Sequence, residues 1–277
     1  MIKITNVKIV PIHQLLLLVS LGQILTPDLR GQNSDAAPTI SPTRSESIKF
    51  SPWDTGKEYT YNWVYNRKNV GKTHFKIVDL KKTGVKKSGK SAPQFEIQAN
   101  LDYARDSSII KSRRNIFYDS RGNVVRYHTR TNLNDVNGMK SDLEVQGWRD
   151  GKKLIIQATP NNLEDESVRS EIDISDGHVI LAHAVETLAV LLPRIIKDNS
   201  IPDTTLFYPD FGKSYLVKFK RHENEEITLG DNKKVKCQLF SFKSEFKQLT
   251  GQAWLDGDGK LVQYRQGSLQ IQLETNS

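Results

Sequence analysis

The chain has 277 residues, with 40 Lys and Arg against 32 Asp and Glu, and a formal net charge of +8 at pH 7. Its single cysteine, Cys237, excludes an intramolecular disulfide, so an exported domain of this sequence has to rely on its core. The lysines are scattered and not interleaved with stacking aromatics, which argues against nucleic acid as a partner, while the positive charge favours an anionic envelope surface.

The first thirty residues carry Lys3 and Lys8 ahead of an apolar run from Leu15 to Leu25. A charged start followed by a short apolar core is the pattern of a signal peptide. The run is 11 residues long, against the roughly twenty that a bilayer-spanning helix needs. The sequence therefore predicts a cleaved signal peptide over residues 1–31, cut near Gly31, and a protein exported to the periplasm or the extracellular space. No cysteine follows the core to accept a lipid. Cleavage there removes Lys3, Lys8, Arg30 and Asp28 and leaves a net charge of +6. Residues 32–50 hold Pro38 and Pro42 among small polar residues and read as a flexible leader. Residues 51–277 read as a single β-rich domain, long enough to bury a core of its own.

From Tyr59 the apolar period is two. Tyr59, Tyr61, Trp63 and Tyr65 alternate, and after Asn66-Arg67-Lys68-Asn69 the chain returns from Val70 to Leu80 as a hairpin with an aromatic face. Lys81, Lys82, Lys86, Lys87 and Lys90, set among Thr, Gly and Ser, form a solvated loop. Phe95, Ile97, Ala99, Leu101 and Tyr103 then face one way and Glu96, Gln98, Asn100 and Asp102 the other, so one face meets a core and one meets water. Further strands are predicted over 108–118, 123–133, 139–148, 152–159, 166–174, 213–230, 234–245, 249–256 and 260–273. Three strand ends share one plan, an aromatic running into Asp and Gly: Tyr118-Asp119 with Gly122, Trp148 with Asp150-Gly151, and Trp254 with Asp256-Gly257. Asp and Gly supply the left-handed backbone of tight turns, so consecutive strands are expected to be antiparallel neighbours. The expected fold is mainly β, an antiparallel meander of about a dozen strands forming a strongly curved sheet or partly closed barrel.

One segment breaks the period. From Val179 to Leu192 the residues Leu181, Val185, Leu188 and Leu192 recur three or four apart, which predicts a helix ended by Pro193. It is apolar on most of its circumference and too short to span a membrane, so it is expected to pack into the concave face of the sheet.

No catalytic motif identifies an enzyme, and no cofactor is called for. His178 and His183 are five residues apart and diverge by about 140° on a helix, unlike the i, i+4 pair of a zinc helix, so His183 and Glu186 read as a helix-end histidine and a surface carboxylate and not as a metal site. Asp256-Gly257-Asp258-Gly259 lacks the acidic register of a calcium loop and reads as a turn. Cys237, between Val235 and Leu239, reads as a buried structural thiol. The aromatic set Trp53, Tyr59, Tyr61, Trp63 and Tyr65 reads as core, or as the lining of an apolar cavity with the helix as its lid.

The Tyr-x-Tyr-x-Trp hairpin with Val70-Gly71, the mid-chain apolar helix and the final Gly251-Gln252-Ala253-Trp254-Leu255-Asp256 strand resemble uncharacterised exported bacterial β domains. In overall plan they are also similar to the lipoprotein carriers LolA and LolB. The carrier resemblance implies a half-barrel whose concave apolar face holds acyl chains under helices, although this chain has one long helix where the carriers have several. The first expectation is thus an exported, non-catalytic binding or carrier-like domain. It would hold a lipid, another apolar ligand or a partner segment between helix and sheet, with Tyr61, Trp63, His183, Leu188 and Trp254 lining that space. The alternatives are an envelope-associated structural or interaction domain with a fully packed core, and a hydrolase with a site around His183 and Glu186.

Overall fold

The computed structural model describes residues 55–80, 93–105, 108–119, 122–134, 140–160, 167–173, 178–181, 185–195, 204–208, 213–230, 232–244 and 250–274. The predicted signal peptide and leader, Trp53 and the lysine-rich loop at 81–90 lie outside these residues. Fifteen strands form one sheet: β1 (Glu58–Tyr65), β2 (Lys68–Asp79), β3 (Phe95–Arg105), β4 (Ser108–Tyr118), β5 (Val124–Asn134), β6 (Lys140–Asp150), β7 (Lys153–Pro160), β8 (Val168–Asp173), β9 (His178–Leu181), β10 (Thr204–Tyr208), β11 (Lys213–Thr228), β12 (Lys234–Ser244), β13 (Thr250–Leu255), β14 (Leu261–Gln266) and β15 (Leu269–Leu273). Among the described residues there is one helix, α1 (Val185–Ile195), between β9 and β10.

The spatial order is β8-β7-β6-β5-β4-β3-β2-β1-β15-β14-β13-β12-β11-β10-β9. Two meanders, β1 to β8 and β9 to β15, are stitched together where Tyr61, Trp63 and Tyr65 pair with Leu273, Ile271 and Leu269. Every pairing is antiparallel except that of β9 with β10, which is parallel. The two outermost strands, β8 and β9, are consecutive in the chain, with only residues 174–177 between them. Laid flat at about 4.8 Å per strand, fifteen strands would hold these edges about 67 Å apart. Five residue steps from Asp173 to His178 reach no more than about 18 Å. The sheet must therefore coil on itself until its first and last edges come near each other, which makes an unclosed, barrel-like wall.

The turns carry the expected chemistry. Asn66 and Arg67 both adopt the left-handed region, φ 47° and 64°, as a two-residue hairpin turn whose twist matches that of the flanking strands requires. At the β4–β5 and β13–β14 turns the Asp119 and Asp256 carboxylates accept backbone N–H groups from within their own loops, and Gly122 and Gly259 take positive φ. Asp256 therefore acts as a turn residue, and among the described residues no cluster of His, Cys, Asp or Glu has the makings of a metal site.

Along β4, Ile110, Ser112, Arg114, Ile116 and Tyr118 point inward and are buried, while Lys111 and Arg113 point outward and are exposed. β2 and β3 alternate in the same sense, with Thr73, Phe75, Ile77, Ile97, Ala99, Leu101 and Tyr103 inside. The outward rows are polar, the reverse of a strand that faces lipid. Cross-strand registers arrange the interior in layers. One runs Phe75, Ala99, Arg114, Thr129, Val145, and the next runs Ile77, Ile97, Ile116, Tyr127, Gly147. Gly147 is a packing requirement, because a Cβ there would lie 2.0 Å from the Tyr127 ring.

The C-terminal meander carries a second core on its outer face. Leu229, Cys237, Leu239, Trp254 and Val262 are buried together, apart from the main cluster. The cause is in β11, whose register breaks between Arg221 and Asn224. A bulge of this kind bends the strand and increases its twist. Beyond it the β11–β12 hairpin folds over the sheet, far enough that the Gln272 side chain of β15 donates to the Thr228 carbonyl at 3.0 Å.

Three elements differ from the sequence reading. Residues 179–181, expected as the start of the helix, lie with His178 in the edge strand β9, because the run His178-Val179-Ile180-Leu181 pairs in register with β10, itself unforeseen. The helix runs through Pro193 to Ile195. Proline there removes one backbone donor close to the C-terminal end. Residues 260–273, expected as one strand, are two, split at Gly267, which has φ 57°.

Candidate functional site

α1 is the element that needs explaining. Its residues from Val185 to Leu192 are buried except for Ala189, which is half-buried, and Glu186, Thr187, Leu191 and Leu192 are 0% exposed. No single face turns to solvent, so the helix occupies the interior of the coiled sheet, where it meets β2, β3, β9 and β14.

Glu186 was expected at the surface as a solvated carboxylate. Instead it accepts from the Arg114 guanidinium at 3.1 Å, with side-chain exposures of 10% for Arg114 and 0% for Glu186. The enclosure of α1 on all sides leaves no solvated face for it. Arg114 reaches the helix from the middle of β4, and its registered neighbours on β3 and β5, Ala99 and Thr129, are small enough to leave its long stem room. Tyr118, four residues along on the same face of β4, is fully enclosed. Burial raises its phenol well above the ordinary range, and the charge of Glu186 adds to the rise. Next to the Arg114 layer, Ser112 on β4 accepts a hydrogen bond from Thr131 on β5 at 3.1 Å. The interior thus has a polar strip along β4 and β5, in a mainly apolar wall that also holds Thr73.

The residues expected to line the helix–sheet space separate into three groups. Tyr61, Trp63 and Leu188 are buried in one cluster with α1. Tyr61 donates to the Leu261 carbonyl at 2.7 Å, and Trp63 donates to Thr73 Oγ1 at 2.8 Å while meeting Tyr103 edge-on. Trp254 is on the opposite face of the sheet. Its neighbours Ala253 and Leu255 take the inward positions, and strand alternation turns Trp254 outward, where its indole donates to Glu225 at 2.9 Å and Arg265 lies over its ring. His183 lies outside the described residues.

Arg114 escaped the sequence reading although its signal was present. Ile110, Ile116 and Tyr118 set the apolar parity of β4, and a charged residue on that parity is a buried charge in need of a partner. The one acidic residue of the apolar helix is that partner. Cys237 is buried as expected. Desolvation first, then the Asp256 carboxylate, push its thiol up to about 11, which keeps it a poor nucleophile at neutral pH.

No protein-family model matches the sequence, and no curated protein matches it. Among solved structures the chain is similar to the beta-barrel-like protein of domain of unknown function DUF1849 from Brucella abortus, with a TM-score of 0.48 and 8% identity, over 78% of this chain and 94% of that one.

Proposed function

We propose that this chain is an exported, non-catalytic binding domain that takes up an apolar ligand, or an apolar segment of a partner, in the interior now filled by α1. One observation carries the reading: an 11-residue helix, the one helix among the described residues, occupies the concave side of a fifteen-stranded wall, tethered through β9, a four-residue edge strand. Such a helix is a replaceable filler. Segments that move on binding are drawn from the least stabilised parts of a fold, and an edge strand paired on one side only is such a part. The buried groups beside α1 suit recognition better than chemistry, because Glu186 is committed to an arginine. In this reading the protein works in the periplasm or outside the cell, in the manner of the lipoprotein carriers, and its basic surface favours anionic envelope lipids.

Native mass spectrometry of the mature protein, with thermal unfolding in the presence of lipids, tests the proposal. The expected result is a co-purified or added lipid bound one to one, with a rise in midpoint. No bound species and no rise across a lipid panel would exclude it. The full burial of Leu191 and Leu192 supports a second reading, an envelope scaffold whose core the helix completes. That reading predicts the negative outcome of the same experiment.

A further inference from the structure

The Arg114–Glu186 pair is poorly explained as a stabilising device. Burying both charges costs desolvation that their attraction barely repays, and a well-packed apolar pair in the same space commonly does as well or better. What the pair does provide is an oriented guanidinium at a fixed depth in an apolar chamber, a geometry suited to a carboxylate or phosphate. In the structure that anion belongs to the chain itself. Glu186 in the first turn of α1 is followed by Leu188, Leu191 and Leu192, all buried. A charged head followed by an apolar body is the chemistry of an anionic amphiphile. Val185, Leu188, Leu191 and Leu192 pack into the apolar cluster, and only three residues, 182–184, separate the helix from the edge strand β9.

Resting on the binding reading above, we infer that α1 is a tethered mimic of the ligand and that Arg114 receives the head group of a single-chain anionic amphiphile, a fatty carboxylate or alkyl phosphate, once Glu186 withdraws. Glu186 is then an internal competitor, and its removal strengthens binding. The Ser112 and Thr131 hydroxyls in the adjoining layer give the same wall further hydrogen-bonding capacity toward a head group.

The test compares hexadecanoate, hexadecyl phosphate and hexadecanol by calorimetry on the wild type, Glu186→Gln and the charge-free double variant Arg114→Met with Glu186→Leu. Circular dichroism confirms the fold of each. Both anions are expected to bind the wild type about tenfold or more tightly than hexadecanol, the scale of one charge-assisted hydrogen bond. Glu186→Gln weakens the closed state that all three ligands must open and should tighten each by about the same factor, while the double variant should bind all three alike. Amide exchange in residues 185–192 should accelerate when an anion binds. Equal affinity for hexadecanol and hexadecanoate in the wild type, a head-group preference that survives in the double variant, or binding that leaves exchange in α1 unchanged would overturn the inference while leaving the binding reading intact. No binding of any amphiphile to the wild type or to Glu186→Gln would overturn both. A preference for hexadecanoate over hexadecyl phosphate, or the reverse, identifies which anion the site is built for.

Discussion

The two cores of this molecule lie on opposite faces of the same sheet and are built differently. The inner one gathers residues from Tyr61 to Ile271, nearly the whole described chain, around a helix and a buried ion pair. The outer one draws only on residues from Ile227 to Val262 and is apolar apart from the indole bond to Glu225. The outer cluster is a local consequence of a bulged hairpin folding over its neighbours. The inner one requires both meanders to be in place, and only it holds charge away from water. Stability in the inner core should therefore depend on charge matching and on long-range closure, and in the outer core mainly on apolar area.

The sharpest way to break this contrast is to unbalance the ion pair. Glu186→Ala leaves the Arg114 guanidinium buried without its partner and is expected to cost about 3–5 kcal/mol in chemical denaturation. Arg114→Met with Glu186→Leu should recover most of that loss. If the double variant were as unstable as the single one, the pair would be an organising element of the fold and the contrast in charge would need another basis. The next effect is purely steric. Leu191→Ala, at a position with 0% exposure, removes packing on every side and should cost about 2–5 kcal/mol. Gly147→Ala drives a methyl into the Tyr127 ring, 2.0 Å away, and should cost about 1–3 kcal/mol through overpacking of the inner wall.

On the outer face the expected effects are smaller. Trp254→Phe keeps most of the apolar area and loses the bond to Glu225, for about 1 kcal/mol. With Trp53 and Trp148 also replaced by Phe, the same variant leaves Trp63 as the one tryptophan, so its fluorescence should follow the global transition. An outer cluster that melted earlier than the Trp63 signal would show the two cores to be separate cooperative units.

Much of the fold was legible in the sequence, up to a definite point. The alternation of Phe95 to Tyr103 fixed the burial of β3, and the Asp-Gly turns fixed the antiparallel order, because both are local rules. The apolar circumference of the helix required cover on more than one side, which the interior of the coiled sheet provides. Trp254 was misplaced because period two says that a residue differs in face from its neighbours but not which face meets the larger core. A bulge between Trp254 and Leu255 in the β13–β14 pairing and a second core outside made an outward tryptophan as well buried as an inward one. β9 and the helix start were confused because Val179-Ile180-Leu181 suits either state, and only its pairing with β10, a contact more than twenty residues away, decides it. The Arg114–Glu186 pair joins residues 72 apart in sequence. Parity marks each of its members as suspect, and only the fold brings them together.

Cys237 tests the outer core most finely, because its thiol reports the apolarity of its surroundings. Burial first, and then the Asp256 carboxylate, raise it to about 11 from an ordinary value near 9. At pH 8 the thiolate fraction is then about a hundredfold below that of a free cysteine, so alkylation of the folded protein should be slower by at least that factor and return to the free rate in denaturant. The sign of the stability effect follows from proton binding. Below pH 9 the thiol is protonated in both states and its contribution is fully present. As pH rises toward 11 the unfolded chain releases the proton first, so stability falls across that window. Wild type should lose on the order of 2 kcal/mol more than Cys237→Ala between those limits. A matching pH dependence in the two proteins would mean that water reaches the outer cluster, and that burial there is much shallower than in the core around α1.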